Sequence, residues 1–156
     1  MRELRGVPAV LHIHGEFTPE SDEHHARLAE LAGDNVVFHG RFDNQRLAEI
    51  YSELDVLVVP SLWFENSPIT IHEAHLLRTP VVASGIGGMA EYVRDGVDGL
   101  HFPVGDAGAL ARVLRRFVDE PGLIGELSRD FPRVKTIEEN AREMEYRYRA
   151  LCARVR

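Results

Sequence analysis

Residues 56–59 (VLVV) and 81–83 (VVA) are short, unbroken apolar runs. A strand with one wet face alternates apolar and polar residues, whereas a strand buried on both faces does not. Such runs constrain the chain to a parallel sheet covered by helices on both sides. The remaining pattern agrees. Residues 7–14, 36–38 and 100–102 read as further strands, and residues 21–31, 45–54, 68–78, 106–118 and 137–156 carry helical apolar spacing. Asp43 or Asn44 can cap the second of these helices. Strand and helix alternate, so the expected fold class is α/β, a Rossmann-like parallel sheet with helices on both faces. Ligands in such sheets bind beyond the carboxyl ends of the strands.

At 156 residues the chain has the length of one domain. Glu120-Pro121-Gly122 ends the last helix of the sheet region, and Phe131-Pro132-Arg133 breaks the chain again. The division expected is a Rossmann-like domain over residues 1–130 and a separate amphipathic helix over residues 131–156, striped by Ile137, Ala141, Met144, Tyr148 and Leu151. The net charge of −7 argues against a nucleic-acid partner. Cys152 is the only cysteine, so no internal disulfide forms and a reducing compartment fits. No signal-peptide pattern and no apolar run of the ~20 residues a membrane helix needs is visible. A cytoplasmic location follows as the expectation.

The segment PSLWFENSPITIHEA, residues 60–74, carries most of the chemistry. Glu65 and Glu73 stand with seven residues between them. Ser67 is a good N-cap and Pro68 a good first helical residue, since its fixed φ suits a helix start and its missing N–H would be unpaired there. Glu65 then precedes the helix and Glu73 lies on its second turn. Between the two carboxylates are free backbone N–H groups at the positive end of the helix dipole. That arrangement suits a phosphate flanked by hydroxyls. A nucleotide sugar has this order: sugar, diphosphate, ribose.

This constellation resembles the Glu-x7-Glu motif of retaining glycosyltransferases of GT-B architecture, the group 1 (family 4) set. Residues 79–114 resemble the same family's next segment, with a Gly-Gly loop, a short helix with a Glu, a D-G-x-x-G turn and a G-D before the next helix. Residues 36–61 resemble it as well. The likeness spans roughly residues 7–118, and one local departure is Asn66-Ser67-Pro68, where many members carry glycines. The resemblance implies one half of a GT-B fold: the donor-binding domain of an enzyme that transfers a glycosyl group from a nucleoside diphosphate sugar to a hydroxyl acceptor, for instance in polysaccharide biosynthesis. It implies Glu65 as the catalytic-site carboxylate on the donor sugar and Glu73 on the ribose. The segment Asn66, Ser67, Pro68, Ile69 and Thr70 would turn its backbone amides to phosphate or sugar. Gly40, Arg41 and Phe42 would face the nucleobase, and Gly87 and Gly88 would line the cleft. It implies no cofactor and no metal beyond the nucleotide sugar itself. The missing partner is the N-terminal GT-B domain or a separate chain carrying it, through which the inner face of a membrane could be touched. The family's first strand, with its diphosphate-gripping Arg and Lys, would lie before residue 7, where Arg2 and Arg5 are weak substitutes. The isolated chain is expected to bind nucleotide weakly and transfer little sugar.

Plainer readings stand beside these. Glu73 can be a solvent-facing helical glutamate, and Glu65 a charge favoured at a helix N-terminus, worth ~0.3–1 kcal/mol. The Gly85, Gly87, Gly88 loop can be a simple turn and Arg41 an exposed turn residue. Glu91 reads as an anchor of the glycine loop, and Trp63 and Phe64 as core. Among eight histidines, His12 with His14 and Glu16, and His72 with His75 beside Glu73, have ligand-like spacing, but no residue set completes a metal site. The rival classes are a non-catalytic nucleotide-binding module or regulatory subunit, and a flavodoxin-like domain. The latter would need a strand-end Asp, whereas Asp55 begins a strand.

Overall fold

The computed structural model describes Leu4, residues 6–16 and residues 22–154, with the side chains of residues 22–24 and 154 excepted. Ser21, Val155 and Arg156, included in the expected helices, lie outside the described residues, as do Arg2 and Arg5. The elements alternate: β1 (Leu11–His14), α1 (Asp22–Leu31), β2 (Val36–Gly40), a 3-10 turn (Asn44–Arg46), α2 (Leu47–Ser52), β3 (Leu57–Val59), α3 (Ile69–Leu76), β4 (Val81–Ser84), α4 (Gly87–Tyr92), β5 (Gly99–Phe102), α5 (Ala107–Asp119), α6 (Leu123–Leu127) and α7 (Ile137–Arg154). Among the described residues the strands form two parallel sheets, β1-β2 and β3-β4-β5. The expected α/β class with a parallel sheet and helices on both faces is the one observed.

β4 organises the larger sheet. Val81 and Ala83 turn to one face and pack with Tyr51, Ile71, Ala74, Met89 and Val93, while Val82 turns to the other and packs with Leu100, Phe102, Ala109, Leu123 and Leu127. All four β4 residues are buried, which is why the run shows no polar alternation. Its register pairs Val81 with Leu57 on one side and with Gly99 on the other. A Cβ on Gly99 would lie 2.1 Å from the Val81 carbonyl oxygen, so only glycine fits there.

Several ends differ from expectation for identifiable reasons. β1 begins at Leu11 rather than residue 7, because strand pairing starts where the Leu11 amide meets the Asn35 carbonyl. The helix expected over residues 45–54 opens as a 3-10 turn, capped by Asp43 through its bond from the Gln45 amide at 2.9 Å. α5 is capped by Asp106, which accepts from the Ala109 amide at 2.7 Å. α6 was not legible in the sequence; it buries Leu123 and Leu127, but its five residues are too few for an amphipathic stripe. In α7 the expected stripe is exposed at Ile137, Met144, Tyr148 and Leu151.

Beside the turn that leads into β5 lies a buried polar hub. Asp98, wholly buried, accepts from the Arg94 amide at 2.8 Å and from Arg94 Nε at 2.5 Å. Arg94 continues to Asp130 at 3.0 Å, and Arg78 donates to the Ser128 carbonyl at 2.8 Å while lying over the Phe131 ring. Thus two arginines tie the segment after α6 to the sheet domain. His75 is buried 3.6 Å from Asp98, too far for a hydrogen bond, and its Nε2 has no partner among the described residues. Burial pushes the His75 pKa down, more than Asp98 pulls it up. His75 is therefore neutral in the native state.

The sign of the pH dependence follows. The unfolded chain binds a proton at the ordinary histidine value of 6.5, and the native chain only below it. Stability is therefore full above pH ~6.5 and falls as pH drops from there toward the lowered native value. Urea denaturation between pH 5 and 8 should show this loss, and His75→Gln should flatten the slope.

Candidate functional site

Three segments at the carboxyl ends of parallel strands carry the residues singled out for the site: Gly40, Arg41 and Phe42 at the end of β2, Glu65 to Pro68 before α3 with Ile69, Thr70 and Glu73 on it, and Gly87 and Gly88 at the start of α4. After β3, the chain turns outward through Ser61–Ser67 before entering α3. Glu65 is half-buried here. Its Oε1 accepts from Trp63 Nε1 at 2.8 Å and from Ser61 Oγ at 3.2 Å. Both bonds fall on one oxygen, so Oε2 has no donor among the described residues. The carboxylate is thus fixed in direction with half its accepting capacity open.

Trp63 and Phe64, expected in the core, are instead 69% and 78% exposed. The loop explains it. The Trp63 indole N–H must reach Glu65 two residues on, and that turns its ring outward. Leu62 and Ile69 are exposed beside them. A Trp two residues before a carboxylate, in a loop rather than a strand, was the available signal for this bond.

The expected cap of α3 is also corrected. Pro68, with φ −62° and ψ 115°, occupies the cap position, and no side chain caps the helix. The Ser67 hydroxyl pairs instead with His72 Nε2 at 2.7 Å. Within the described residues no hydrogen bond uses the amides of Asn66, Ser67, Ile69 or Thr70. They remain available at the helix start, as the sequence implied, though without the capping hydroxyl among them.

Glu73 lies on the second turn of α3, half-buried. Buried Tyr51 of α2 places its hydroxyl 3.4 Å from Glu73 Oε2 and 3.2 Å from the Thr70 carbonyl. Burial, and then the nearby carboxylate, raise the Tyr51 pKa well above the ordinary phenol value. The phenol stays protonated, and its single O–H is shared between these two acceptors. The sequence placed Tyr51 on the apolar face of its helix and missed this second role, because the pairing spans two helices and has no local signature.

The glycine loop after β4 packs on the Glu65 loop. The Gly88 amide donates to the Glu65 carbonyl at 2.7 Å. A Cβ on Gly88 would lie 2.3 Å from the Asn66 carbonyl oxygen, and one on Gly87, whose φ is +52°, would meet Glu65 and Phe64 at 3.1 Å. Gly87 and Gly88 therefore bring α4 against the loop that carries Glu65. Glu91, read as that loop's anchor, is exposed, and the Gly88 amide anchors it instead. After β2, Gly40 turns the chain at φ +69°. Arg41, Phe42, Asp43 and Asn44 then line a cavity of about 570 Å³. Arg41 pairs with Glu16 at 3.5 Å, and Phe42 stands edge-on to His14. No group of three or more His, Cys, Asp or Glu among the described residues is arranged to hold a metal.

The family described as Glycosyl transferases group 1 matches residues 1–120. D-inositol 3-phosphate glycosyltransferase of Streptomyces griseus is 41% identical over 100 residues, which cover 63% of this chain and 21% of that protein. The chain spans between a fifth and three tenths of the curated relatives it matches. Sucrose-phosphate synthase from Thermosynechococcus elongatus superposes with a TM-score of 0.82 at 30% identity, over 97% of this chain and 41% of that one. Anabaena HepE in complex with UDP and glucose superposes with a TM-score of 0.70 at 21% identity, over 77% of this chain and 33% of that one. The fold is that of one Rossmann-like half of the GT-B architecture.

The close approach at Gly88 generates a direct test. Gly88→Ala should lower stability by about 1–3 kcal/mol, the usual cost of forcing a methyl into a filled contact. Denaturation of the variant against Gly125→Ala, where a Cβ meets nothing within 4 Å, separates this contact from helix propensity.

Proposed function

The chain belongs to the group 1 glycosyltransferases, and on that premise we propose that it is the donor-binding half of a retaining enzyme. Its ligand is a nucleoside diphosphate sugar. The observation that carries the reading is Glu65, held on one oxygen by Trp63 and Ser61 with the other open, beside unbonded amides at the start of α3.

In this reading Glu65 Oε2 accepts from a hydroxyl of the donor sugar. The amides of Ser67, Ile69 and Thr70, with those of Asn66, face the phosphates. Glu73, steadied by Tyr51, accepts from the ribose hydroxyls, and the cavity at Arg41 and Phe42 takes the base. During transfer the bond from the anomeric carbon to the diphosphate oxygen breaks, and its electron pair leaves on that oxygen. The acceptor hydroxyl bonds to the same face of the carbon and passes its proton to the departing phosphate oxygen. Backbone amides aimed at that oxygen stabilise the growing charge without reorganising. The sites need no metal in this scheme, since the leaving charge falls on donors of the chain. HepE, which shares the fold, has been captured with UDP and glucose.

The other half of the cleft, whether an N-terminal domain or a partner chain, would position the acceptor, complete the neutralisation of diphosphate and carry any membrane contact. No helix among the described residues is long and apolar enough to cross a membrane.

Amide NMR with UDP, GDP and ADP tests the reading. Shifts should map to residues 40–44 and 66–73. Glu73→Ala should weaken nucleotide binding about tenfold, equivalent to ~1.4 kcal/mol. Glu65→Ala should leave UDP binding unchanged while removing the added affinity for the matching sugar nucleotide. Silence from all three nucleotides at millimolar concentration, in a folded chain, sinks the proposal.

A further inference from the structure

Trp63 is the only tryptophan of the chain, and it stands on an exposed loop rather than in the core. Its indole N–H lies in the plane of the ring and donates to Glu65 Oε1 at 2.8 Å. That bond points the ring edge at the carboxylate and leaves the flat faces uncommitted. The residue is 69% exposed, so at least one face is open. Phe64, beside it, leans on the glycine loop: its ring Cδ1 lies 3.1 Å from the point where a Cβ on Gly87 would stand. The open indole face is thus a platform of fixed direction at the edge of the Glu65 carboxylate.

Two chemistries meet there. The ring face is apolar and carries the negative end of the ring quadrupole, which attracts C–H groups with slight positive charge. At its rim stands Glu65 Oε2, which has no donor among the described residues. An occupant has to satisfy both. An apolar protein surface laid directly on the ring would bury Oε2 without a hydrogen bond, which is unfavourable. A purely polar ligand would leave the ring uncovered. A pyranose answers both needs, with C–H groups on its faces and hydroxyl donors around its rim. The loop from Ser61 to Ser67 carries one carboxylate and no basic side chain, so a sugar with a carboxylate of its own finds no neutralising charge on it.

We infer that Trp63 is a specificity-determining residue: its ring stacks on the C–H face of a neutral pyranose while a hydroxyl of that sugar donates to Glu65 Oε2. The inference rests on the donor-site reading, in which that pyranose is the transferred sugar, and it adds a contact that the nucleotide alone does not make. Because the bond to Glu65 fixes the ring in advance, little side-chain freedom is lost on binding. Leu62, Phe64 and Ile69 stay open to whatever opposes the loop.

As the only tryptophan, Trp63 reports on itself. The chain is titrated with UDP-glucose, UDP-N-acetylglucosamine, GDP-mannose and ADP-glucose, each beside its parent nucleotide, and read by tryptophan emission and by the amides of residues 40–44. The matching sugar nucleotide should change the emission where its parent does not, and should bind about fivefold more tightly, the scale of an aromatic stacking contact. Trp63→Phe, which keeps a flat face but has no N–H for Glu65, should retain part of that gain. Trp63→Leu, apolar but not flat, should lose it, and both variants should bind the parent nucleotide as the original chain does. UDP-glucuronate should show no gain over UDP. Unchanged emission in a chain whose amides respond to nucleotide would overturn this inference and leave the donor site standing. So would Trp63→Phe as weak as Trp63→Leu, which would restrict Trp63 to orienting Glu65, or a gain with UDP-glucuronate equal to that with UDP-glucose. No amide response to any nucleotide would remove the donor reading and this inference together.

Discussion

The rest of the structure hangs on β4 being dry on both faces. Val81, Val82 and Ala83 each have zero exposure, and they stand between two apolar clusters. Burying a Val side chain fully is worth about 1.5–3 kcal/mol, but the geometric consequence matters more. A strand with no wet face must have both neighbours hydrogen-bonded and both faces covered, which fixes β3, β5, α3, α4 and α5 relative to one another. The loops leaving β3 and β4 then start from neighbouring points, and the Glu65 loop and the glycine loop meet because their strands are adjacent. The contact of the Gly88 amide with the Glu65 carbonyl is a local event on a frame set by strand burial.

The buried hub at Asp98 does a related job at the other end of the strands. A wholly buried carboxylate is costly unless charged donors surround it, and Arg94 provides two bonds, one from its backbone and one from its side chain. Because the same guanidinium reaches Asp130, the segment after α6 is held by the charge compensation of the core. Arg78 adds a second tether at φ +61°, a left-handed position that a non-glycine residue accepts here with its side chain engaged at Ser128. His75, neutral and buried, packs beside this pair 3.6 Å from Asp98.

What the sequence conveyed and what it withheld separate along physical lines. The strands at residues 56–59 and 81–83 were legible because burial on both faces leaves an unbroken apolar run. Asp106 was legible as a start because a capping side chain acts within three residues. Interactions that join distant segments were not. Tyr51 looked like core because it is core; nothing local tells that its hydroxyl ends beside Glu73, 22 positions on. Trp63 and Phe64 looked like core because large aromatics usually are, and the indole bond to Glu65 overrode that tendency. Ser67 looked like a cap because Ser-Pro at a helix start has that form, but His72, one turn along the same helix, competes for the hydroxyl and wins. The placement of Glu65 and Glu73 around the start of α3 was readable because it needs only helix periodicity.

The exposed aromatics then acquire a physical meaning. A carboxylate in water interacts weakly with a hydroxyl or a phosphate, because the solvent screens it and competes for its lone pairs. Glu65 is oriented by Trp63 and Ser61, yet its open oxygen lies in a loop whose Leu62, Trp63, Phe64 and Ile69 all face outward. Such a row does not stabilise the isolated domain, since burying it elsewhere would. It costs hydration free energy that an opposing surface, such as the other half of the cleft in the proposed function, would recover. The same opposing surface would exclude water from Glu65 and from the amides of α3, and so convert a pre-oriented but wet set of donors and acceptors into an electrostatically effective one. Orientation is thus written into this chain, in the Trp63–Glu65 bond and the Tyr51–Glu73 contact, and under the proposed function the low dielectric that gives orientation its effect would come from the surface that closes over it.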